Sequence, residues 1–323
     1  MNGRYEMEIK VDGVIKKRLN GMPSIATDYY YSLLGAGKSY RTAQSYIENI
    51  DKFIKFTYPD GCNEDFYKNV TPNHINRYIA SLRTKIVKGQ VKRTSDSFKT
   101  TVWSALNSFF QFLVPNYITS NPVASTTRPK MKDNPQVTYL ESEEITQIIK
   151  SAEKKATNKL RNRDLCILKL GFATGLRRSA IVQINISDLD LNHNQIKVTE
   201  KGDKDFYVHI GENLKNQILL WLTDREKFFK DIDTDALFVS QERKRLSGRS
   251  LKDIMDRYTG GIDKKVTPHV MRHSCATNLY EKTGDIYLCA KQLNHSNVTT
   301  TQRYAELSQK RRIEAANILD EII

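Results

Sequence analysis

The chain of 323 residues is long enough to form two domains with cores of ordinary size. It carries 51 Lys and Arg against 37 Asp and Glu, a net charge of +14, so its surface should attract polyanions, with nucleic acid as the first candidate and an anionic membrane as the competitor. The sequence has no apolar run near the roughly 18 residues of a membrane-spanning helix and no signal peptide, which indicates a soluble, cytoplasmic protein.

Residues 1–20 form a short N-terminal extension in which apolar and charged residues alternate as far as Val11. Asp12-Gly13 is the dipeptide of a type I′ turn, and a second apolar run follows it. The pattern predicts a β-hairpin, although an ordered piece of tail explains these residues equally well.

Residues 21–124 carry apolar residues at helical spacing, which predicts a helical domain of four or five helices. Ser39 and Thr71 are suited to cap two of the helices, and residues 97–113 form a third. The Gly-Lys-Ser sequence that ends at Ser39 resembles the end of a phosphate-binding loop. Ser32 stands where that motif needs its first Gly, so the helix cap is the better interpretation.

Residues 125–139 lack apolar periodicity and predict an extended basic linker. The second domain, residues 140–323, begins with helical patterns. Residues 195–198 and 206–210 then alternate as two strands of a hairpin with a basic tip. The chain ends with an amphipathic helix, whose apolar residues are Ile313, Ala316, Ile318, Leu319, Ile322 and Ile323.

Residues 267–304 hold three of the six histidines of the chain, which an ordinary basic helix would not concentrate. Thr267 is a good N-cap and Pro268 suits the first helical position. The helix should dock by an apolar stripe and present histidine and arginine on its other side. The stripe is Met271, Cys275 and Leu279, and the other side is His269, Arg272, His273 and Tyr280.

The four cysteines, Cys62, Cys166, Cys275 and Cys289, form no C-x-x-C pair, which suits a reducing compartment. Two of them could join His273 and His295 as zinc ligands. Because Cys275 belongs to the apolar stripe, no metal site is predicted.

Six residues of four types follow one another in a defined order in the second domain. They are Arg177 within Ala173-Thr174-Gly175-Leu176-Arg177, Lys201 on the hairpin, His269 and Arg272 within His269-x-x-Arg272-His273, His295, and Tyr304 nine residues later. In order and spacing they resemble the tyrosine recombinase (phage integrase) family. The resemblance covers residues 140–310. The preceding domain resembles the core-binding domain of the family, with Ser39, Thr42, Tyr46 and Phe53 in familiar places.

The resemblance implies a mainly α fold with a small antiparallel β-sheet (α+β). It implies a two-domain clamp around duplex DNA, with a helical core-binding (SAM-like) domain at residues 21–124 and a tyrosine recombinase catalytic domain at residues 140–323. The implied function is site-specific recombination or integration for a phage or mobile element, through a covalent 3′-phosphotyrosyl intermediate. The implied partners are double-stranded DNA crossover sites and three further copies of the chain, joined through the C-terminal helix.

The chemistry explains why these residue types are needed. Attack on a DNA phosphodiester adds charge to its non-bridging oxygens, which the guanidinium forks of Arg177 and Arg272 and a third donor, His295, would stabilise. Tyr304 would be the nucleophile. His269 would accept the phenol proton, and Lys201 would protonate the departing 5′ oxygen, which Arg cannot do. Because the phosphotyrosyl bond conserves the bond energy, no cofactor, metal or ATP is expected.

Several assignments have structural alternatives. Lys204 competes with Lys201 for the hairpin role, and His273 is a structural histidine rather than a direct catalyst. Asp188 and Asp190 are interpreted as solvated turn residues rather than magnesium ligands. Arg177 has the alternative of a helix-start phosphate contact without a catalytic role.

The sequence departs from the family at two positions. Ala180 stands where many relatives carry Glu, and Asn294 where most carry Gly. Both lie beside site residues, so they bear on the fine geometry of the site.

Two other functions remain open at this point: a type IB topoisomerase, which relaxes supercoils as a monomer, and a non-catalytic DNA-binding regulator that keeps the fold. The C-terminal helix likewise has two interpretations. It packs into a neighbouring protomer, or Ile318, Leu319 and Ile322 fold back on their own domain.

Overall fold

The computed structural model describes residues 3–87, 89–114, 116–130, 138–200, 204–230 and 232–294. The chain folds as two compact units, Met1–Asn134 and Pro135–Ile323. None of the helices in the described ranges is long and apolar enough to cross a membrane.

The first unit is built on five described helices. They are α1 (Gly3–Leu19), α2 (Ile25–Gly35), α3 (Tyr40–Thr57), α4 (Pro72–Ser81) and α5 (Asp96–Leu113), with a 3₁₀ turn at Phe66–Asn69. The Ser39 hydroxyl accepts a hydrogen bond from the Thr42 backbone N–H at 3.3 Å and so caps α3, as the sequence predicts.

Aromatic side chains fill the core of this unit. Tyr29, Phe53, Phe66, Phe109 and Phe110 are all buried. Most of their contacts are edge-to-face, such as Tyr29 against Phe109 with ring centroids 5.2 Å apart. Large rings bury much apolar area and fix their neighbours, which explains how a unit of modest size holds several helices together.

The N-terminal extension is a helix, and the prediction of a β-hairpin there was wrong. Val11, Ile15 and Leu19 are buried in the core of the first unit, and their spacing of four residues is that of one helical face. Asp12, assigned to a turn, instead accepts a hydrogen bond from the buried Tyr30 hydroxyl at 2.5 Å. Burial of this face outweighs the local turn signal.

The first unit also contains a β-hairpin that the sequence interpretation missed, so it is not wholly helical. Strand β1 (Thr84–Val87) pairs antiparallel with β2 (Gln90–Arg93), and Gly89 has a φ of 76° at the turn. Glycine adopts this left-handed conformation without steric cost.

The first residues of the predicted linker pack on α5. The Trp103 indole donates a hydrogen bond to the Thr126 hydroxyl at 2.9 Å, and the Thr100 hydroxyl donates one to the Pro129 carbonyl at 3.0 Å. Arg128 lies over the Trp103 ring. These contacts hold residues 125–130 to the helical core rather than leaving them extended.

The second unit is mainly helical with one small antiparallel sheet, which confirms the predicted fold class. The sheet has the order β3 (Leu189–Asp190), β4 (Gln195–Glu200) and β5 (Lys204–His209), so the predicted hairpin is present. The described helices of this unit are α6 (Ser142–Lys155), α7 (Asn158–Thr174), α8 (Arg178–Gln183), α9 (Glu212–Phe228), α10 (Gly248–Tyr258), α11 (Pro268–Thr283) and α12 (Ile286–Gln292).

Helix α7 is the centre of this unit and is buried on most of its circumference. Its Gly171 lies against the Met271 side chain of α11, where a larger residue would collide, so the two helices approach closely. Asp164 is fully buried and accepts hydrogen bonds from Arg163 at 2.7 Å and from the Tyr258 hydroxyl at 2.6 Å. This network ties α7 to α10.

Candidate active site

Helix α11 begins where the sequence predicts. The Thr267 hydroxyl accepts a hydrogen bond from the Val270 backbone N–H at 3.2 Å, and Gly284 ends the helix with a φ of 70°. Met271 is buried and His269 is exposed, both as predicted. The helix therefore docks by its apolar stripe and leaves His269 open to solvent.

The helical period predicted that Arg272 would lie on the open side of α11, and this prediction was wrong. The Arg272 side chain is buried, with only 5% of it exposed. Its Nη1 donates a hydrogen bond to the Gly175 carbonyl at 2.8 Å, and its Nη2 donates one to the Leu293 carbonyl at 2.6 Å. Both carbonyls belong to helix C-caps, of α7 and of α12. Carbonyls at helix ends lack intrahelical partners and carry partial negative charge, which favours a buried guanidinium here.

The turn after α7 requires glycine at position 175. Gly175 has a φ of 62°, and a Cβ there would lie 2.5 Å from Leu293 Cδ2 and 3.2 Å from Cys275 Sγ. The turn leads directly to Arg177, which is exposed and N-caps the short helix α8. The close packing of Gly175 thus sets where the Arg177 side chain begins.

Arg245 anchors the other end of α8, and the sequence interpretation missed it. Its Nη1 donates to the carbonyls of Val182 at 3.0 Å and Gln183 at 3.1 Å, and its Nη2 donates to Asn185 Oδ1 at 2.5 Å. Burial lowers the pKa of Arg245, with Asp235 and Asp188 opposing that shift. A helix of six residues is too short to persist without such an anchor.

Helix α12 carries the chain towards His295. Asp285 caps it by accepting hydrogen bonds from the backbone N–H groups of Tyr287 at 2.8 Å and Leu288 at 2.9 Å. Asn294 follows with a φ of 49°, in the left-handed region. This explains the departure from the family pattern, because Asn tolerates that region better than other non-glycine residues and glycine fits it without strain.

Ala180, the other departure, lies on the buried face of α8, belongs to the hydrophobic core and is 5% exposed. A small apolar residue lets α8 pack closely on the sheet and α10. A glutamate at this position would need a polar partner at this depth.

The predicted lysine belongs to the β4–β5 hairpin. The backbone pairing of the two strands begins with Gln195 opposite His209 and ends with Glu200 opposite Lys204. Lys204, the competing candidate, therefore belongs to the ladder itself, while Lys201 lies in the connection, outside the described residues.

Three of the six predicted site residues are described: Arg177, His269 and Arg272. Arg272 binds the turn that precedes Arg177, and His269 lies one helical turn before Arg272 on α11. The other three, Lys201, His295 and Tyr304, lie outside the described residues.

Two polar residues of α11 that the sequence interpretation passed over attach the start of the second domain. The buried Ser274 hydroxyl accepts a hydrogen bond from the Leu140 backbone N–H at 2.9 Å and donates one to the Val270 carbonyl at 2.7 Å. The Asn278 amide donates to the Leu140 carbonyl at 2.9 Å. Nothing in the local pattern distinguishes these residues from solvent-facing ones.

Asp188 ends a 3₁₀ turn (Ile186–Asp188), which agrees with its prediction as a turn residue, whereas Asp190 belongs to strand β3, so the same prediction was wrong for Asp190. Asp188 accepts a hydrogen bond from the Asn185 backbone N–H at 2.8 Å, and Asp190 accepts one from the His193 backbone N–H at 3.1 Å. Within the described ranges, no group of three or more His, Cys, Asp or Glu side chains is arranged to hold a metal ion. Burial raises the pKa of Cys275 to about 12, although Arg272 acts in the opposite direction.

Comparison with protein families matches residues 138–311 to the Phage integrase family. Among curated relatives, tyrosine recombinase XerD of Oceanobacillus iheyensis is 30% identical over 289 residues, covering 88% of this chain and 94% of that protein. Tyrosine recombinase XerC of Psychromonas ingrahamii is 33% identical over 207 residues, covering 63% of this chain and 68% of that protein.

Solved structures share the fold. XerH recombinase bound to its palindromic difH substrate, in a post-cleavage complex, matches with a TM-score of 0.67 and 23% identity over 88% of this chain and 81% of that chain. A lambda integrase dimer bound to a COC′ core site matches with a TM-score of 0.66 and 19% identity over 89% of this chain and 78% of that chain. The family match spans the region that holds Arg177, His269 and Arg272. The chain therefore belongs to the phage integrase family, the tyrosine recombinases, which catalyse DNA strand cleavage and exchange.

Proposed function

We propose that this tyrosine recombinase cleaves and rejoins DNA by attack of the Tyr304 hydroxyl on a phosphodiester. The new bond joins the Tyr304 oxygen to the 3′ phosphate, the bond to the 5′ oxygen breaks, and the reverse attack by a 5′ hydroxyl of the partner strand restores the backbone. Because the phosphate ester bond is exchanged rather than hydrolysed, ATP is not needed. Nor does this scheme require a metal ion, because fixed cationic side chains would face the phosphate.

The placement of Arg272 is the observation that carries this proposal. A buried guanidinium is stable only with hydrogen-bond partners, and its partners here include the Gly175 and Leu293 carbonyls. Those carbonyls lie two residues before Arg177 and two residues before His295. Arg272 thus links the segments that carry the two other proposed phosphate ligands.

The roles of the remaining residues follow from their chemistry. Arg177, Arg272 and His295 would stabilise the charge that develops on the phosphate oxygens. A phenol with an ordinary pKa near 10 is ionised in only about one molecule in a thousand at pH 7, so Tyr304 needs a proton acceptor, and the exposed His269 suits that role. Lys201, in the connection between β4 and β5, would protonate the 5′ oxygen.

Trapping of the covalent intermediate tests the mechanism. The parent and Tyr304→Phe are incubated in EDTA with a library of duplexes of randomised sequence. Each duplex carries a nick, so that cleavage releases a short strand with the 5′ hydroxyl. Because this strand diffuses away, it cannot reverse the cleavage, and the covalent adduct accumulates. Adducts that resist denaturing detergent should form with the parent and not with Tyr304→Phe, and sequencing the trapped DNA should return a preferred site. Adducts with both proteins would contradict the role of Tyr304, and relaxation of supercoiled plasmid without a preferred site would favour a topoisomerase.

The assembly we propose is a homotetramer on two DNA crossover sites, with each chain forming a clamp of two domains around the duplex and its C-terminal helix joining the next protomer. Support comes from the apolar residues at the end of the sequence and from a lambda integrase structure described as a tetramer bound to a Holliday junction, which matches with a TM-score of 0.62 and 17% identity. We also propose that the protein acts in the cytoplasm, because its proposed substrate is DNA.

We further propose that the crossover sites flank a phage or other mobile element. In that case the source organism should contain circular molecules of the element, and amplification across their junction should return the site found by trapping. A trapped site that lies in the chromosome of the source organism, with no excisable segment beside it, would contradict the mobile-element origin and leave the cleavage chemistry intact.

A further inference from the structure

The β1–β2 hairpin of the first unit is strongly basic. Residues 83–93 contain five Lys or Arg and no Asp or Glu. Three of these cations have described side chains, Arg83, Lys92 and Arg93, and all three are exposed. The proposed mechanism uses none of them.

No described carboxylate forms an ion pair with Arg83, Lys92 or Arg93. Elsewhere in the same unit cations and carboxylates pair readily, as Lys68 does with Asp65 at 2.6 Å and Lys99 with Asp96 at 3.2 Å. A cluster of uncompensated cations on one short element repels itself, so a polyanion bound there would relieve that repulsion.

The hairpin contributes little to the core of its unit. All described side chains from Gln90 to Arg93 are exposed, and Val91 is 71% exposed. Its base is nevertheless held firmly, since the Thr94 backbone N–H donates a hydrogen bond to the Arg83 carbonyl at 3.0 Å and Thr94 is buried. The element is therefore an anchored ribbon that projects from the unit, and B-DNA admits a two-stranded ribbon in its major groove.

We propose that the β1–β2 hairpin is a DNA-contacting element, in which Arg83, Lys92 and Arg93 bind backbone phosphates of duplex DNA. This inference rests on the proposed function only in taking duplex DNA as the substrate. An anionic membrane is a poorer partner because the described face offers one large apolar side chain, Val91, whereas insertion into a bilayer surface needs an apolar set. Phosphate contacts carry no sequence information, so the hairpin raises affinity without choosing the site.

The salt dependence of DNA binding tests this inference. Binding of a labelled random-sequence duplex of about 30 base pairs is measured by fluorescence anisotropy between about 50 and 200 mM salt. The logarithm of the affinity falls as the logarithm of the salt concentration rises, and each lost phosphate contact should make this slope shallower by about 0.9. The variant Arg83→Gln/Lys92→Gln/Arg93→Gln should therefore have a slope shallower by about 2 to 3. The charge-preserving variant Arg83→Lys/Lys92→Arg/Arg93→Lys should retain the parental slope.

A matched control separates position from net charge. Lys10, Lys17 and Lys52 are exposed residues of the same unit on α1 and α3, and Lys10→Gln/Lys17→Gln/Lys52→Gln removes the same three charges. A slope that falls equally in both triple variants, or in neither, would overturn the proposal. The proposal would also be overturned if the parent protein bound phosphatidylserine vesicles and the hairpin variant lost this binding while its DNA binding stayed unchanged.

Two further measurements keep the outcome clear. The melting temperature of each variant reports folding, and should stay close to the parental value because the replaced side chains are exposed. Tyr304→Phe should keep the full salt slope while losing the covalent adduct. A hairpin variant with parental slope and parental adduct would reject the hairpin inference alone, whereas a parent that forms no adduct would reject the proposed function alone.

Discussion

Arg177 and Arg272 carry the same charge in different surroundings. Arg177 is exposed, whereas Arg272 is buried and bonded to two helix ends. We expect Arg177→Lys to slow adduct formation by about a hundredfold with little change in stability, because lysine lacks the planar fork. Arg272→Lys should slow it similarly and also lower the free energy of unfolding by about 1 to 3 kcal/mol, because the single nitrogen of lysine cannot occupy the positions of both Nη1 and Nη2, which bind different carbonyls.

Urea denaturation and adduct formation on the trapped site measure the two effects separately. The two variants exchange the same residue types, so each is the control for the other. Equal losses of stability in both would contradict the anchoring role assigned to Arg272.

Asn294 offers a second test at the scale of one residue. Its φ of 49° lies in a region that costs L-residues other than Asn and Asp about 1 to 2 kcal/mol. Asn294→Ala should therefore lower the free energy of unfolding by about 1 kcal/mol, while Asn294→Gly should change it by less than about half of that. Thermal unfolding of the two variants decides this, and an alanine variant as stable as the glycine variant would show that the backbone there is not left-handed.

Short elements depend on anchors supplied from elsewhere in the chain. Helix α8 has six residues, follows its N-cap residue Arg177 and is held at its other end by Arg245. We expect Arg245→Gln to lower the free energy of unfolding by about 1 to 3 kcal/mol, because the carbonyls of α8 lose a charged donor. Adduct formation should also slow, because the backbone that carries Arg177 is no longer held in place. DNA affinity should change little.

Arg243→Gln is the matched control for Arg245. Arg243 lies two residues away, is exposed, and donates only a 3.5 Å hydrogen bond to the Lys230 carbonyl. Its replacement should leave stability and adduct formation near the parental values. Loss of DNA affinity in Arg245→Gln, with the cleavage rate of bound DNA unchanged, would contradict a positioning role.

At the scale of the whole molecule, the end of the chain distinguishes two arrangements. Truncation after Arg311 removes Ile313, Ile318, Leu319 and Ile322. If these residues join protomers, light scattering should show that complexes on the trapped DNA site fall below tetramer size while the melting temperature of the free protein is unchanged. A lower melting temperature with the tetramer intact would show that the helix folds back on its own domain.

Much of the second unit was predictable because its signals are local. Thr267 and Gly284 mark the ends of α11, and the alternation that predicts β4 and β5 needs only the residues of the strands themselves. The family resemblance came from six residues whose order and spacing are properties of the sequence. Tertiary contacts did not enter these predictions.

The N-terminal extension shows where such signals fail. Asp12-Gly13 is a good turn dipeptide, and the residues before it alternate, yet the segment is helical because Val11, Ile15 and Leu19 bury one face in a core formed by later helices. Conversely, residues 84–93 form a β-hairpin that a helical reading of the domain passed over. Short segments of either kind take the structure that their surroundings favour.

The sequence by itself determined the family, the ends of the principal helices and the residue types of the site. Only the tertiary structure decided that Arg272 is buried, because its partners are carbonyls 97 and 21 residues away in the chain. The same holds for Arg245 and the end of α8, about 60 residues apart. Caps and periodicity act over a few residues and are written locally, whereas a charged side chain is buried only where distant backbone groups meet to bind it.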